Sequence, residues 1–381
     1  MLTTFFSAIG GKLSDRLAAI SAPALIFWLG GLLAWSCAHG GSHALARPAT
    51  WLSRQATFAQ VVIVAVVLVG IAASAVLVGL LTTPTLRLLE GYWPGWASPL
   101  RRRLTERVIL RAAEADEQWQ QVARELFKAN ASVGVEGASG SEGTGGAEGA
   151  GGAEGMGGTQ GAGGVEGMGG AEGVGGAEGV SGAEGVGGAE AVAMDKAAAR
   201  QVARRAELLA TYGRLERARE RRPSRADLYL PTKIGNILRA AETRPRDKYG
   251  LDSVAVWPRL WLVLPDSTKQ EINSARTALD SAVAASVWGI LFLVFTGWTI
   301  LALPIGLAVC AAAVLVWVPV RAGVFGQLVV AAFDVHRILL YQQLRWPLPV
   351  TPYDEQLRGA EVSSYLQKGS DDTAPTFTPP H

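Results

Sequence analysis

The chain has 381 residues, 49% of them hydrophobic and 18% charged, against about 25% charged in ordinary soluble domains. Its charges leave three long stretches empty, which excludes a single soluble domain. The formal net charge of +2 hides a segregation: a Gly-rich insert at 134–190 holds nine Glu and no Lys or Arg, and taking those nine away leaves +11 on the rest. Two Cys, Cys37 and Cys310, both in apolar stretches, exclude a disulfide scaffold and the multi-Cys zinc motifs.

After a short N-terminus (1–16), two uncharged stretches, 17–38 and 58–81, each meet the length of about 20 apolar residues that a helix needs to cross ~30 Å of hydrocarbon. Ala44-Leu45-Ala46 imitates a signal-peptide cleavage site, but the uncharged run before it is long for an h-region, so 17–38 is read as a span and 39–57 as a loop. A third run, 281–320, is uncharged for 40 residues, about twice a crossing. It predicts a hairpin of two spans, 281–303 and 304–320, turning at Leu303-Pro304-Ile305-Gly306. Lys12, Arg16, Arg87, Arg101, Arg102, Arg103, Lys269, Arg276, Arg321 and Arg337 flank the spans on one side, and only Arg47 and Arg54 on the other. The positive-inside rule therefore places both termini and the central segment in the cytoplasm.

Within the central segment, 82–133 and 191–226 have helical periodicity. Leu104, Val108, Ala112, Ala115, Trp119, Val122 and Leu126 form one stripe, and Val202, Ala206, Leu209 and Leu215 a second, predicting an antiparallel pair resembling a coiled coil. Between them, 134–190 places Gly at every third position and Glu at nearly every sixth. Strict Gly-x-y is the pattern of a collagen triple helix, yet the insert has no Pro to preset the backbone and no Lys to pair with the Glu. The reading taken is a disordered acidic linker. Nine Arg stand between Arg200 and Arg225 against three Glu, a solvated basic face or a contact for anionic lipid. Nucleic acid is not the expected partner.

The stretch 227–280 is read as a cytoplasmic or interfacial helical element. Thr232 is a candidate cap, Ile234, Ile237, Leu238 and Ala241 an apolar face, and Pro245 is placed beyond the helix end. Gly235 inside a helix costs about 1 kcal/mol relative to Ala, which predicts another backbone packed against it. Tyr249-Gly250-Leu251-Asp252 reads as a turn, and 254–264, with Trp257 and Trp261, as an apolar element at the membrane interface. Asn236, Arg239, Glu242 and Asp252 are a candidate polar or ligand network with Gly235. After the fourth span, 321–346 continues as an amphipathic interfacial helix carrying Asp334, His336 and Arg337, with Asp334 and Arg337 spaced to pair on one face. A tail, 347–381, follows.

PTKIGNILRAAE, YGLD, WPRLWLVLP and AAFDVHRILLYQQLRWPLP together resemble an uncharacterised family of multi-pass membrane proteins from high-GC bacteria. The resemblance covers roughly 228–366. It implies an architecture in the bacterial inner membrane and carries no activity.

No phosphate-binding loop, dinucleotide fingerprint, zinc-protease helix or nucleophile elbow stands in a suitable context. No cofactor, metal site or catalytic residue is therefore assigned. Cys37, His39 and His43 fall short of the four-ligand sets of structural zinc. The expected fold class is all-α, with four transmembrane helices in two hairpins, a cytoplasmic helical domain and a Gly-rich insert. The expected role is a non-enzymatic scaffold or regulator that recruits a cytoplasmic protein partner, with Arg101, Arg102 and Arg103 contacting anionic lipid. The alternative is an oligomeric channel lined by small residues such as Gly70, Ser74, Gly79 and Thr296. A membrane enzyme around Asp334 and His336 ranks third.

Overall fold

The computed structural model describes residues 22–139, 187–370 and 375–378. Among them all regular structure is helical. The chain divides into two compact units, 117–216 and the remainder.

The larger unit begins with α1 (Ala22–Ala38), a short apolar helix whose expected first residues, 17–21, lie outside the described ones. The loop after it contains a helix that the sequence reading lacks, α2 (Ser42–Ser53). Next come α3 (Thr57–Glu90), the start of α4 (Ser98–Ser139), the end of α5 (Gly187–Glu220), α6 (Lys233–Tyr249) and α7 (Ser253–Val263). The unit closes with α8 (Asp266–Phe292), α9 (Ala302–Ala312), α10 (Val318–Gln343) and α11 (Pro352–Lys368). Three helical runs are long and apolar enough to cross a membrane: the one starting at Thr57, Asp266–Gly297, and Ala302–Gln343.

The third uncharged run does fold back, but earlier than expected. A tight helical turn, Leu293–Gly297, follows α8, and the chain reverses at 298–301. Pro304 lies in the first turn of α9, where its missing N–H deprives no carbonyl of a partner. The two legs touch at glycines. A Cβ on Gly289 would stand 2.8 Å from the Cys310 nitrogen, and one on Gly306 would stand 2.8 Å from the Gly289 carbonyl oxygen. Small residues at a crossing let backbones approach this closely.

A single π-helical turn, Ala313–Trp317, joins α9 to α10. The segments 304–320 and 321–346 are therefore joined without a break in one continuous helix to Gln343.

Two buried clusters bind the unit at the polar ends of these helices. Leu86, Ile234, Ile237, Leu279, Val283 and Val318 lock α3, α6, α8 and α10 together. Leu251, Val256, Leu260, Phe333, Tyr341 and Val362 join α7, α10 and α11. The expected tail is thus largely a packed helix. Its start carries ordinary signals: the Thr351 hydroxyl caps the Asp354 N–H at 3.1 Å, and Pro352, Asp354 and Glu355 follow.

In the smaller unit, 117–216, α4 and α5 pair. The Trp119 and Tyr212 rings lie 5.7 Å apart and Arg204 approaches Glu125 at 4.0 Å. The predicted α4 stripe faces inward at every position from Leu104 to Leu126, across both units. On α5 the inward face is Leu208, Tyr212 and Leu215, so Val202, Ala206 and Leu209 point outward, contrary to expectation. Residues 134–139 and 187–190 extend α4 and α5; 140–186 lie outside the described residues.

Candidate functional site

The candidate residues of 227–280 and 321–346 converge where α6, α7, α10 and α11 meet the end of α3. Thr232 starts α6 by accepting the Gly235 N–H at 3.0 Å. Gly235 lies directly on the end of α3: a Cβ there would overlap the Glu90 carbonyl oxygen and lie 2.9 Å from its carbon. That is the backbone approach its position predicts. Asn236, 3% exposed, accepts the Leu230 N–H at 2.7 Å and donates to the Leu230 carbonyl at 2.9 Å, clamping the chain that leads into α6. Arg239 pairs with Glu242 at 3.0 Å and donates to the Tyr92 hydroxyl at 3.0 Å, tying α6 to the exit of α3.

Pro245 is inside α6, not beyond it. The helix forgoes the hydrogen bond that a proline cannot donate and runs one turn further, to Tyr249. It ends at Gly250, whose φ of 71° is the left-handed cap that favours glycine. A side chain there would meet α11: a Cβ on Gly250 would lie 2.9 Å from the Ala360 nitrogen. Asp252 caps α7 through the Val254 N–H at 3.0 Å and accepts from Gln367 of α11 at 2.8 Å.

Asp334 and Arg337 do not pair through their side chains. The Asp334 carboxylate accepts from Lys248 at 3.0 Å and from the Tyr249 hydroxyl at 2.6 Å. Arg337 donates to both oxygens of Glu355 on α11, at 2.6 and 3.3 Å, and to the Asp334 backbone carbonyl. Its guanidinium lies 4.0 Å from the Tyr249 ring centre. Tertiary partners outcompete the i, i+3 neighbour because Glu355 offers a bidentate acceptor in a half-buried site. Burial, with help from Asp334, pushes the Tyr249 phenol up to about 12. His336 faces α8 instead, 3.3 Å from the Thr268 hydroxyl. Asp334 and His336 therefore serve different neighbours and form no acid–base pair.

Sequence reasoning missed Lys248, Tyr249, Glu355 and Ser363, whose hydroxyl accepts the Asp252 N–H at 2.8 Å. The capping pattern at Thr351 would have announced the helix carrying two of them. Arg101, Arg102 and Arg103 are exposed near the start of α4, which has no acidic residue in its first turn. Cations there oppose the helix dipole, so they gain from an external anion. Among the described residues no group of three or more His, Cys, Asp or Glu is placed to hold a metal. His39 stacks on Trp35 with ring centres 4.9 Å apart.

Compared with protein-family models, with curated proteins and with solved structures, the chain matches none.

Proposed function

We propose that this is a bacterial inner-membrane scaffold of four spans, with cytoplasmic termini, that recruits a protein partner through the α4–α5 pair. The observation that carries the reading is the outward stripe on α5. Val202 is 69% exposed and Leu209 is 49% exposed, with Ala206 between them, and Phe127 on α4 is 76% exposed. Spaced three and four residues apart on α5, Val202, Ala206 and Leu209 make the apolar face by which a helix docks into a groove or bundle. The polar residues around Asp334 support a structural role, since each is spent on fixing one helix to another. Arg101, Arg102 and Arg103 are assigned to anionic lipid, which supplies the counter-charge that the start of α4 lacks.

A photo-cross-linker placed at Val202 in native membranes tests this. A cross-link to a different protein, lost on Leu209→Asp with unchanged thermal unfolding, is expected. Cross-links to lipid alone would sink the scaffold reading.

A second reading, an oligomeric channel, draws on α3. Only 11% of its apolar window is buried, against 39% for Asp266–Gly297. A Cβ on Gly70 or Gly79 would meet nothing within 4 Å. Cross-links between identical chains and a defined ring-sized mass in detergent would favour it.

A further inference from the structure

The polar ends of α3 and α8 border a cavity of about 330 Å³ that shares only Glu242 with the network above. Glu90, Glu242 and Arg276 form its charged wall, and Trp257, Phe325 and Phe333 line its apolar one. Its volume lies at the lower end of the roughly 300–1,000 Å³ of small-molecule sites.

Its polar groups are incompletely matched by the protein. Glu90 is half-buried and its carboxylate makes no hydrogen bond or ion pair with the described residues. Arg276 reaches Asp280 through Nε alone, at 3.1 Å, leaving its two Nη groups without a protein acceptor among the described residues. Ser253 lines the same cavity, is 7% exposed, and its hydroxyl has no partner among the described residues. Of these the Ser253 hydroxyl is withdrawn from water without a partner, a cost that a ligand's hydrogen bond recovers, while Glu90 and the 41% exposed Arg276 side chain offer a ligand charges that the protein leaves to water.

Val254 and Pro258 line the cavity and continue on α7 into an exposed apolar stripe. Val254 is 70% and Leu262 76% exposed, and the exposed Pro258 lies between them on the same face of α7. Trp257 and Trp261 flank that stripe with ring centres 5.7 Å apart, the amphipathic aromatic pair favoured at a membrane interface.

We propose that this cavity binds the headgroup of a zwitterionic aminophospholipid, its ammonium on Glu90 and its phosphate on Arg276. The acyl chains leave over Val254, Pro258 and Leu262. A charged wall that holds both carboxylate and guanidinium selects a headgroup that carries both charges. A primary ammonium also donates hydrogen bonds to a carboxylate, which a quaternary choline cannot do. The site is independent of the α5 stripe, and either assignment stands if the other fails.

The test is native mass spectrometry of the full chain with phosphatidylethanolamine, phosphatidylcholine and phosphatidylglycerol added at equal concentration. Phosphatidylethanolamine is expected to dominate the lipid adducts. Glu90→Gln should lower its retention roughly tenfold, equivalent to about 1.4 kcal/mol. Should Glu90→Gln unfold the protein, Val254→Arg serves in its place, and a charge on the path assigned to the acyl chains is expected to lower the ethanolamine adduct. Equal retention of the ethanolamine and choline lipids, preference for phosphatidylglycerol, or full retention by a folded variant would overturn the assignment.

Discussion

Gly235→Ala isolates the contact on which the α3–α6 junction depends. In an open helix the change stabilises by about 1 kcal/mol, because Ala loses less backbone freedom than Gly. Here the new methyl would overlap the Glu90 carbonyl oxygen and stand 2.9 Å from the Thr232 hydroxyl that caps α6. The oxygen belongs to backbone and cannot rotate away, so the overpacking cost falls near the top of its usual range, about 3 kcal/mol. Displacing the cap adds about 1 kcal/mol. Set against the propensity gain, the net loss is roughly 3 kcal/mol, or a fall in unfolding temperature of roughly 4 °C for 381 residues at about 2.1 cal/mol/K each. Gly323→Ala on α10 is the matched control, since a Cβ there meets nothing within 4 Å. It should leave stability unchanged or raise it by up to about 1 kcal/mol. Thermal unfolding in detergent, followed by tryptophan fluorescence, reads both. If Gly235→Ala unfolds at or above the parent temperature, or the two variants shift together, close approach is not why glycine stands at 235.

Asn236→Ala should destabilise by about 1–3 kcal/mol for each Leu230 backbone group it orphans, while Asn236→Asp keeps the acceptor but sets a buried carboxylate against the Leu230 carbonyl oxygen and costs at least as much; chemical denaturation ranks the two. A double-mutant cycle on Arg337 and Glu355, whose side chains are 20% and 12% exposed, should return a coupling of about 1–3 kcal/mol. The same cycle on Arg204 and Glu125, 76% and 54% exposed, should return about 0–1 kcal/mol. Tyr249 gives a pH dependence of defined sign. Its phenol is raised to about 12 in the folded protein from an ordinary value near 10, so the unfolded chain loses this proton first. Stability should be fully present below pH ~10 and fall as pH rises toward ~12. Tyr249→Phe should flatten that limb, and an unchanged slope would place its cause elsewhere.

The sequence alone determined the helical class, the apolar runs and most local punctuation. A 40-residue uncharged run can only fold back in a bilayer about half its helical length. Thr232, Gly250 and Asp252 specify their caps through chemistry that acts within a few residues. The demand of Gly235 for a close neighbour was likewise legible, because glycine within a helix is costly unless something fills the space. What filled it was not: Glu90 lies far away in the chain, and its carbonyl arrives only when α3 and α6 pack. Partner choice among charged residues was equally beyond local reading. Asp334 and Arg337 are good helical neighbours, yet Lys248, Tyr249 and Glu355 claim them through contacts formed by two other segments, α6 and α11. The outward turn of Val202, Ala206 and Leu209 has the same origin. Periodicity names one apolar stripe on α5, and only the opposing α4 decides that Leu208, Tyr212 and Leu215 are the residues buried. Short-range sterics and the length of the hydrocarbon fix the elements; which faces and charges meet is a property of the packed whole.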